Sequence, residues 1–223
     1  MLEAIYLPKL KHLAPTLDST LLKAMEEAGE LARAVLNFMP WEKLSPAELN
    51  EQPEAVALLA DVKEELLDVA QTCVTMIFVM EDTFGIDGDS LIGEHLAKLA
   101  EKGYAYDISP SYRITTTQSL YGGNYKYISL PHLTIDHVTL LTTVCKIQEE
   151  LGELTQFLGK HAGASGEQAR LDTGEVNRGA ALELLDVAQC CFTMMYILAE
   201  RYDVNIAELV ARHVDKLHRK GYC

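Results

Sequence analysis

Eight acidic residues stand out by their spacing. Glu27 and Glu30 are three apart, as are Glu65 and Asp68, and the same pairs return as Glu150 with Glu153 and Glu183 with Asp186. On an α-helix, residues three apart lie about 60° apart around the axis and roughly 4.5 Å along it, so both carboxylates of a pair face one way. Two such helices packed together would bring four carboxylates to one spot. Four ionised carboxylates push one another toward protonation unless a cation neutralises them. All-oxygen ligation suits magnesium, calcium or manganese and disfavours zinc and copper, which prefer His and Cys. Magnesium keeps several waters and completes its shell with substrate phosphates, so the expected cofactor is Mg2+, with Mn2+ as a substitute, and the expected ligand is a nucleotide phosphate.

The ordinary alternative is a solvated helix face, where glutamates are common. Against it, Glu65 and Asp68 sit in a run that otherwise reads Leu66, Leu67, Val69, Ala70, Cys73, Val74, Met76, Ile77 and Phe78, and carboxylates are seldom kept in so apolar a helix without a partner. Glu26, Glu64 and Glu149 fall outside the register; they either support the cluster from behind or lie at the surface, and the surface is the preferred expectation. Gln71 and Gln189 follow the motif aspartates by three residues; each either contacts a nucleotide or a metal-bound water, or is a buried amide bonded to another helix. Lys23 and Lys146 precede Glu27 and Glu150 by four residues, the spacing of an intrahelical ion pair, with a phosphate contact as the sharper reading. Lys98 and Lys216 recur in His95-Leu96-Ala97-Lys98 and His213-Val214-Asp215-Lys216, where they either complement a helix C-terminus or touch a triphosphate. The two histidines are expected to be structural. No GxSxG, HExxH or CxxC pattern offers a competing chemistry.

These residues are placed by a tandem repeat. Leu7-Pro8 matches Leu130-Pro131 at an offset of 123 (130 minus 7), whereas Glu65, His95 and Tyr104 match Glu183, His213 and Tyr222 at an offset of 118 (183 minus 65). The second copy is therefore shorter between its acidic pairs, where a loop must lie. The expected organisation is a first helical repeat over 1–104, a Tyr-, Gly- and Thr-rich linker over 105–129, and a second helical repeat over 130–223. In the first repeat, apolar spacing predicts helices from Thr16 to Asn37 and from Glu54 to Thr83. Between them Ser45-Pro46-Ala47-Glu48 reads as a capping box opening a short helix. Gly85 and Gly88 break the long helix, Asp89 or Ser90 caps a final one, and Gly103 ends it. In the second repeat the expected helices run Asp136–His161, Asn177–Tyr202 and Asn205–Lys220, with Gly163-Ala164-Ser165-Gly166 and Asp172-Thr173-Gly174 as loop signals. In the linker, Tyr112-Arg113-Ile114 and Tyr125-Lys126-Tyr127-Ile128 could pair as a hairpin, but an ordered linker is the preferred expectation.

At 223 residues and 48 % hydrophobic the chain can bury a substantial core. Its formal charge of −14 disfavours a nucleic-acid polymer as partner, since that affinity comes from cations meeting phosphates; a bound metal still allows a phosphate substrate. Met1-Leu2-Glu3-Ala4 lacks the basic start of a signal peptide, and the apolar run Val69–Met80 is too short to cross a bilayer. Five cysteines, Cys73, Cys145, Cys190, Cys191 and Cys223, form no CxxC pair. The expectation is a reduced, cytoplasmic protein without a membrane partner.

Lys23-Ala24-Met25-Glu26-Glu27-Ala28-Gly29-Glu30-Leu31 and Lys146-Ile147-Gln148-Glu149-Glu150-Leu151-Gly152-Glu153-Leu154, each followed after a loop by ExxD on a second helix, resemble the MazG-like all-α NTP pyrophosphohydrolases. The resemblance covers about residues 7–104 and 130–222. It implies an all-α fold of two homologous repeats about a pseudo-twofold axis, a dimer made from one chain, present as a monomeric pseudo-dimer or as a homodimer. It implies Glu27, Glu30, Glu65 and Asp68 as magnesium ligands in the first repeat, and Glu150, Glu153, Glu183 and Asp186 in the second. The implied reaction is hydrolysis of a nucleoside triphosphate to the monophosphate and pyrophosphate. The rival expectation is a non-catalytic, metal-dependent nucleotide sensor or oligomerisation scaffold, which retention of all four acids in both copies argues against.

Overall fold

The computed structural model describes residues 5, 7–118, 124–163 and 172–222. Among these, seven helices carry the fold. Helix α1 (Leu17–Phe38) starts where Thr16 accepts a hydrogen bond from the Ser19 N–H and Ser19 reciprocates, and it buries Ala24, Ala28, Leu31, Val35 and Phe38 on one face. Pro40 sits in a 3₁₀ turn that ends it. Ser45 and Glu48 form the expected capping box of the short α2 (Pro46–Asn50). Helix α3 (Pro53–Phe84) stops at Gly85, whose φ of 65° is the left-handed terminus a glycine adopts at little cost. Helix α4 (Gly88–Glu101) is capped by Asp87 rather than by Asp89 or Ser90, because the Asp87 side chain accepts from the Asp89 N–H.

The connection between the halves is more structured than the preferred linker expectation. Strand β1 (Ala105–Tyr106) pairs antiparallel with β4 (Leu133–Thr134). Between them β2 (Ile114–Gln118) and β3 (Asn124–Ile128) form a hairpin, with Ile114 opposite Ile128. Tertiary anchors decide this. Ile128 is fully buried and Ile114 packs on the core, the Ile114 N–H donates to Asp89 Oδ1 at 3.1 Å, and Lys126 pairs with Glu81 at 2.7 Å and with Asp82. The linker residues Tyr121, Gly122 and Gly123 lie outside the described residues, as do Met1–Ala4, Cys223 and the loop signal over 164–166.

Helix α5 (Leu140–His161) begins later than expected because Thr139, not Asp136, provides the cap. Asp172-Thr173-Gly174, expected as loop, instead opens α6 (Thr173–Tyr202): Asp172 accepts from the Glu175 N–H and Glu175 returns the bond, which satisfies two of the helix's first donors. Asn205 caps α7 (Ile206–Arg219).

Helix α1 lies along α3 and α5 along α6, while α3 packs on α6 and α1 on α5, so the four long helices enclose one core. Phe38, Met76, Phe78, Met80 and Phe192 are fully buried there, each contributing about 1.5–3 kcal/mol through removal of apolar surface from water. By length and composition α6 is long and apolar enough to cross a membrane, but 83 % of its apolar window is buried inside the protein, where it forms the centre of the bundle. The short helices α4 and α7 do not cover the site of their own half. Helix α4 lies mainly on α6, and α7 touches both α3 and α6 but sends Lys216 and His213 to Asp68 on α3, so each half is roofed by the other.

Candidate metal centres

The motif glutamates project from the paired long helices as their spacing predicts. In the first half, one carboxylate oxygen from each of Glu27, Glu30 and Glu65 comes within 4.8 Å of the others. Glu27 is buried, and its Oε1 is 2.6 Å from Lys23 Nζ. Burial raises the Glu27 and Glu65 carboxyls above the usual range; Lys23 opposes the rise at Glu27, and Glu30, Asp68 and Glu27 add to it at Glu65. The fourth residue of the set, Asp68, lies outside this triad. It meets Lys216 Nζ at 2.7 Å, with His213 Nδ1 at 3.8 Å.

The second half converges a different three. Glu150, Glu183 and Asp186 meet within 4.8 Å, and Glu153 stands outside them. Lys146 Nζ lies 2.7 Å from Glu150 Oε1 and 2.8 Å from Glu149. Burial pushes the Glu183 carboxyl up to about 7, with Lys98 opposing and Asp186, Glu153 and Glu150 reinforcing it. Burial acts the same way on Asp186, but His95 and Lys98 outweigh it and hold that carboxyl below its ordinary value. Glu150 Oε2 and Glu183 Oε2 are both buried without a hydrogen-bond partner among the described residues. A buried carboxylate oxygen left unpaired is costly. Two of them in one cluster fit a hard divalent cation, which supplies the missing interaction with oxygen ligands.

Each cluster is completed from across the molecule. From α4, Lys98 pairs with Asp186, and His95 Nδ1 stands 2.9 Å from Asp186 Oδ1, near enough for an ion pair though not aligned as a hydrogen bond. From α7, Lys216 and His213 face Asp68. Burial and the nearby Lys216 and Lys220 push His213 down to about 4 despite Asp68, so it is neutral at physiological pH. The far nitrogens of the histidines reach the glutamines: His95 Nε2 is 3.4 Å from Gln189 Oε1, and His213 Nε2 is 3.3 Å from Gln71 Oε1. Each glutamine also donates to a proline carbonyl, Gln71 to Pro8 and Gln189 to Pro131, both at 2.9 Å. Gln71 and Gln189 are thus buried amides tying three segments together, and Lys23 and Lys146 make the intrahelical pairs that their spacing predicts.

Beside each cluster is a pocket. In the second half, a cavity of about 300 Å3 is bounded by Lys146, Glu150, Asp186 and Gln189 from its own helices and by His95, Lys102 and Tyr104 from the opposite half. In the first half, the equivalent cavity of about 490 Å3 is bounded by Lys23, Glu27, Asp68 and Gln71, with Lys220 and Tyr222 from the opposite half. The repeat offsets map one lining onto the other, including Thr20 and Thr75 onto Thr143 and Thr193. The rims differ: Asp136, His137 and Cys190 stand where the first pocket has Leu13, Ala14 and Thr72. The buried threonines and the lysines and tyrosines of the Lys-Gly-Tyr ends line both pockets, a placement that no motif announces; their one sequence signal is recurrence at the repeat offsets. No protein-family description, curated protein or solved structure matches this chain.

Proposed function

We propose that this chain is a magnesium-dependent nucleoside triphosphate pyrophosphohydrolase, a MazG-like pseudo-dimer with two sites in one helical bundle. The observation that carries the reading is the second cluster, where two buried carboxylate oxygens lack partners beside a pocket lined by Glu150 and Asp186, whose size suits a nucleoside. Glu27, Glu30 and Glu65 would hold the ion in the first site, and Glu150, Glu183 and Asp186 in the second. Bound there, Mg2+ would neutralise phosphate charge and polarise the α-phosphate. The chain's own groups do the rest. Lys102 and Lys220, with Lys98 and Lys216 behind them, offer positive charge to the phosphates from the opposite half. Asp68 and Glu153, the motif carboxylates outside the triads, would orient the attacking water and accept its proton. The pocket walls hold the nucleoside and exclude bulk water. The same reading makes the partner a nucleoside triphosphate rather than a nucleic-acid polymer or a membrane, and the setting cytoplasmic.

The test is pyrophosphate release from a panel of standard and damaged nucleoside triphosphates with millimolar magnesium. Release that disappears in the Glu65→Gln, Glu183→Gln double variant, with helical content retained, is expected. No release from any substrate, or full activity in the double variant, refutes the proposal.

A further inference from the structure

The protein is strongly acidic, yet one groove runs against that balance. Between α3 and α7 a groove of about 830 Å3 is lined by Lys63, Arg212, Lys216 and Arg219, with Glu64 and Asp215 as its acids. Lys216 is engaged by Asp68 at 2.7 Å. Arg212 reaches Glu208 at 3.4 Å, but both side chains are 63 % exposed, so that pair is weak. Lys63 is partly buried; Arg212 repels it and Glu208 and Glu64 attract it, but among the described residues no carboxylate lies within ion-pair distance of its ammonium.

The other half shows that the fold does not require these cations. At the repeat offset of 118 (213 minus 95), His213, Lys216 and Leu209 correspond to His95, Lys98 and Leu91, which pack the same way, but Arg212 and Arg219 correspond to Glu94 and Glu101, and Ala60 and Lys63 to Arg178 and Ala181. There Arg178 and Glu94 pair with each other, and the charge is balanced within the protein. The dipole of α7 accounts for Lys216 and Arg219 in its last turn. It does not account for Lys63 in the body of α3 or for Arg212 in the middle of α7.

We propose that the α3–α7 groove is an anion site, present in one half only, that binds a polyphosphate group through Lys63, Arg212 and Arg219. Arginine forks grip phosphate oxygens in pairs and lysine adds a point charge. The groove has the volume of a small-molecule site, and the molecule's charge of −14 opposes a long nucleic acid. The group is shared by inorganic polyphosphates and by the tail of a nucleoside triphosphate. The inference is independent of the hydrolysis proposed above.

Titration calorimetry on the full chain in EDTA tests it, because metal-free carboxylate clusters repel the probe. Inorganic tripolyphosphate is expected to bind at one site, more weakly as salt rises. Affinity should drop about tenfold in each of Lys63→Met and Arg212→Met, the worth of one charge-assisted contact, and stay unchanged in Arg178→Met. Both groove variants remove like-charge repulsion, and retained thermal stability checks that they fold. A nucleoside triphosphate that binds more tightly, with the same sensitivity to Lys63→Met, identifies a nucleotide as the occupant; equal affinity identifies the polyphosphate alone. Absence of binding at millimolar tripolyphosphate, or binding indifferent to both substitutions, overturns the proposal.

Discussion

Glu183→Gln should make the metal-free protein more stable at alkaline pH while reducing its response to magnesium to that of the first cluster. In the folded chain burial holds this carboxyl at about 7 instead of 4.5. A proton bound that much more tightly corresponds to about 3 kcal/mol at 1.36 kcal/mol per tenfold. The side chain is only partly buried, so solvent screening reduces the expected effect to about 1–1.5 kcal/mol. The sign follows from linkage. A carboxyl whose folded value is raised contributes its stability below about 4.5 and loses it as pH climbs through about 7. Above that pH the wild type carries an ionised Glu183 against Asp186, Glu153 and Glu150, and glutamine removes the penalty without changing volume. For a chain of 223 residues the gain is about 2–5 °C in Tm at pH 8. Thermal unfolding in EDTA at pH 5 and pH 8, with and without the substitution, measures it. The wild type should lose stability between these pH values more steeply than the variant. Magnesium at pH 8 should stabilise the wild type by mass action through both clusters and the variant less, through the first cluster alone. A variant no more stable than wild type at pH 8 in EDTA, or one that magnesium stabilises equally, would refute the reasoning.

Because Lys98 serves the second cluster and Lys216 the first, Lys98→Met added to Glu65→Gln should leave almost no pyrophosphate release, whereas Lys216→Met added to Glu65→Gln should cost little more than Glu65→Gln alone; equal effects would contradict the crossed arrangement. Glu65→Gln and Glu183→Gln singly should each remove a different part of the substrate profile, since the rims differ at Leu13 and Asp136 and at Thr72 and Cys190; identical profiles in the two variants would count against distinct pockets. Gln71→Ala should lower stability by about 1–3 kcal/mol in urea unfolding, the penalty for leaving the Pro8 carbonyl unpaired, and an unchanged midpoint would remove its structural role. Gly179→Ala, although alanine favours helix, should destabilise the protein by about 1–3 kcal/mol, because a Cβ there would meet the Phe157 ring closer than 3.0 Å; a raised Tm would show that the ring yields freely.

Within single helices the amino-acid sequence was decisive. The tandem repeat, the three-residue spacing of the acids and the apolar face of each long helix are local properties of a 3.6-residue period, and the helix ends follow from Thr16, Ser45, Gly85 and Gly103, whose caps and turns need only near neighbours. Tertiary structure decided what those helices meet. Glu27, Glu30 and Glu65 converge in one half but Glu150, Glu183 and Asp186 in the other, although the equivalent lysine and histidine reach Asp68 and Asp186 alike. The hairpin after α4 forms because Ile128 and Lys126 find partners on the bundle, a benefit that the strand residues alone cannot signal. Above all, the crossing of α4 and α7 onto the opposite half joins Lys98 to Asp186 and Lys216 to Asp68 across 88 and 148 residues of chain. Near-identical helix faces offer the same local pattern to either half, so only packing of the whole bundle selects which aspartate each lysine meets.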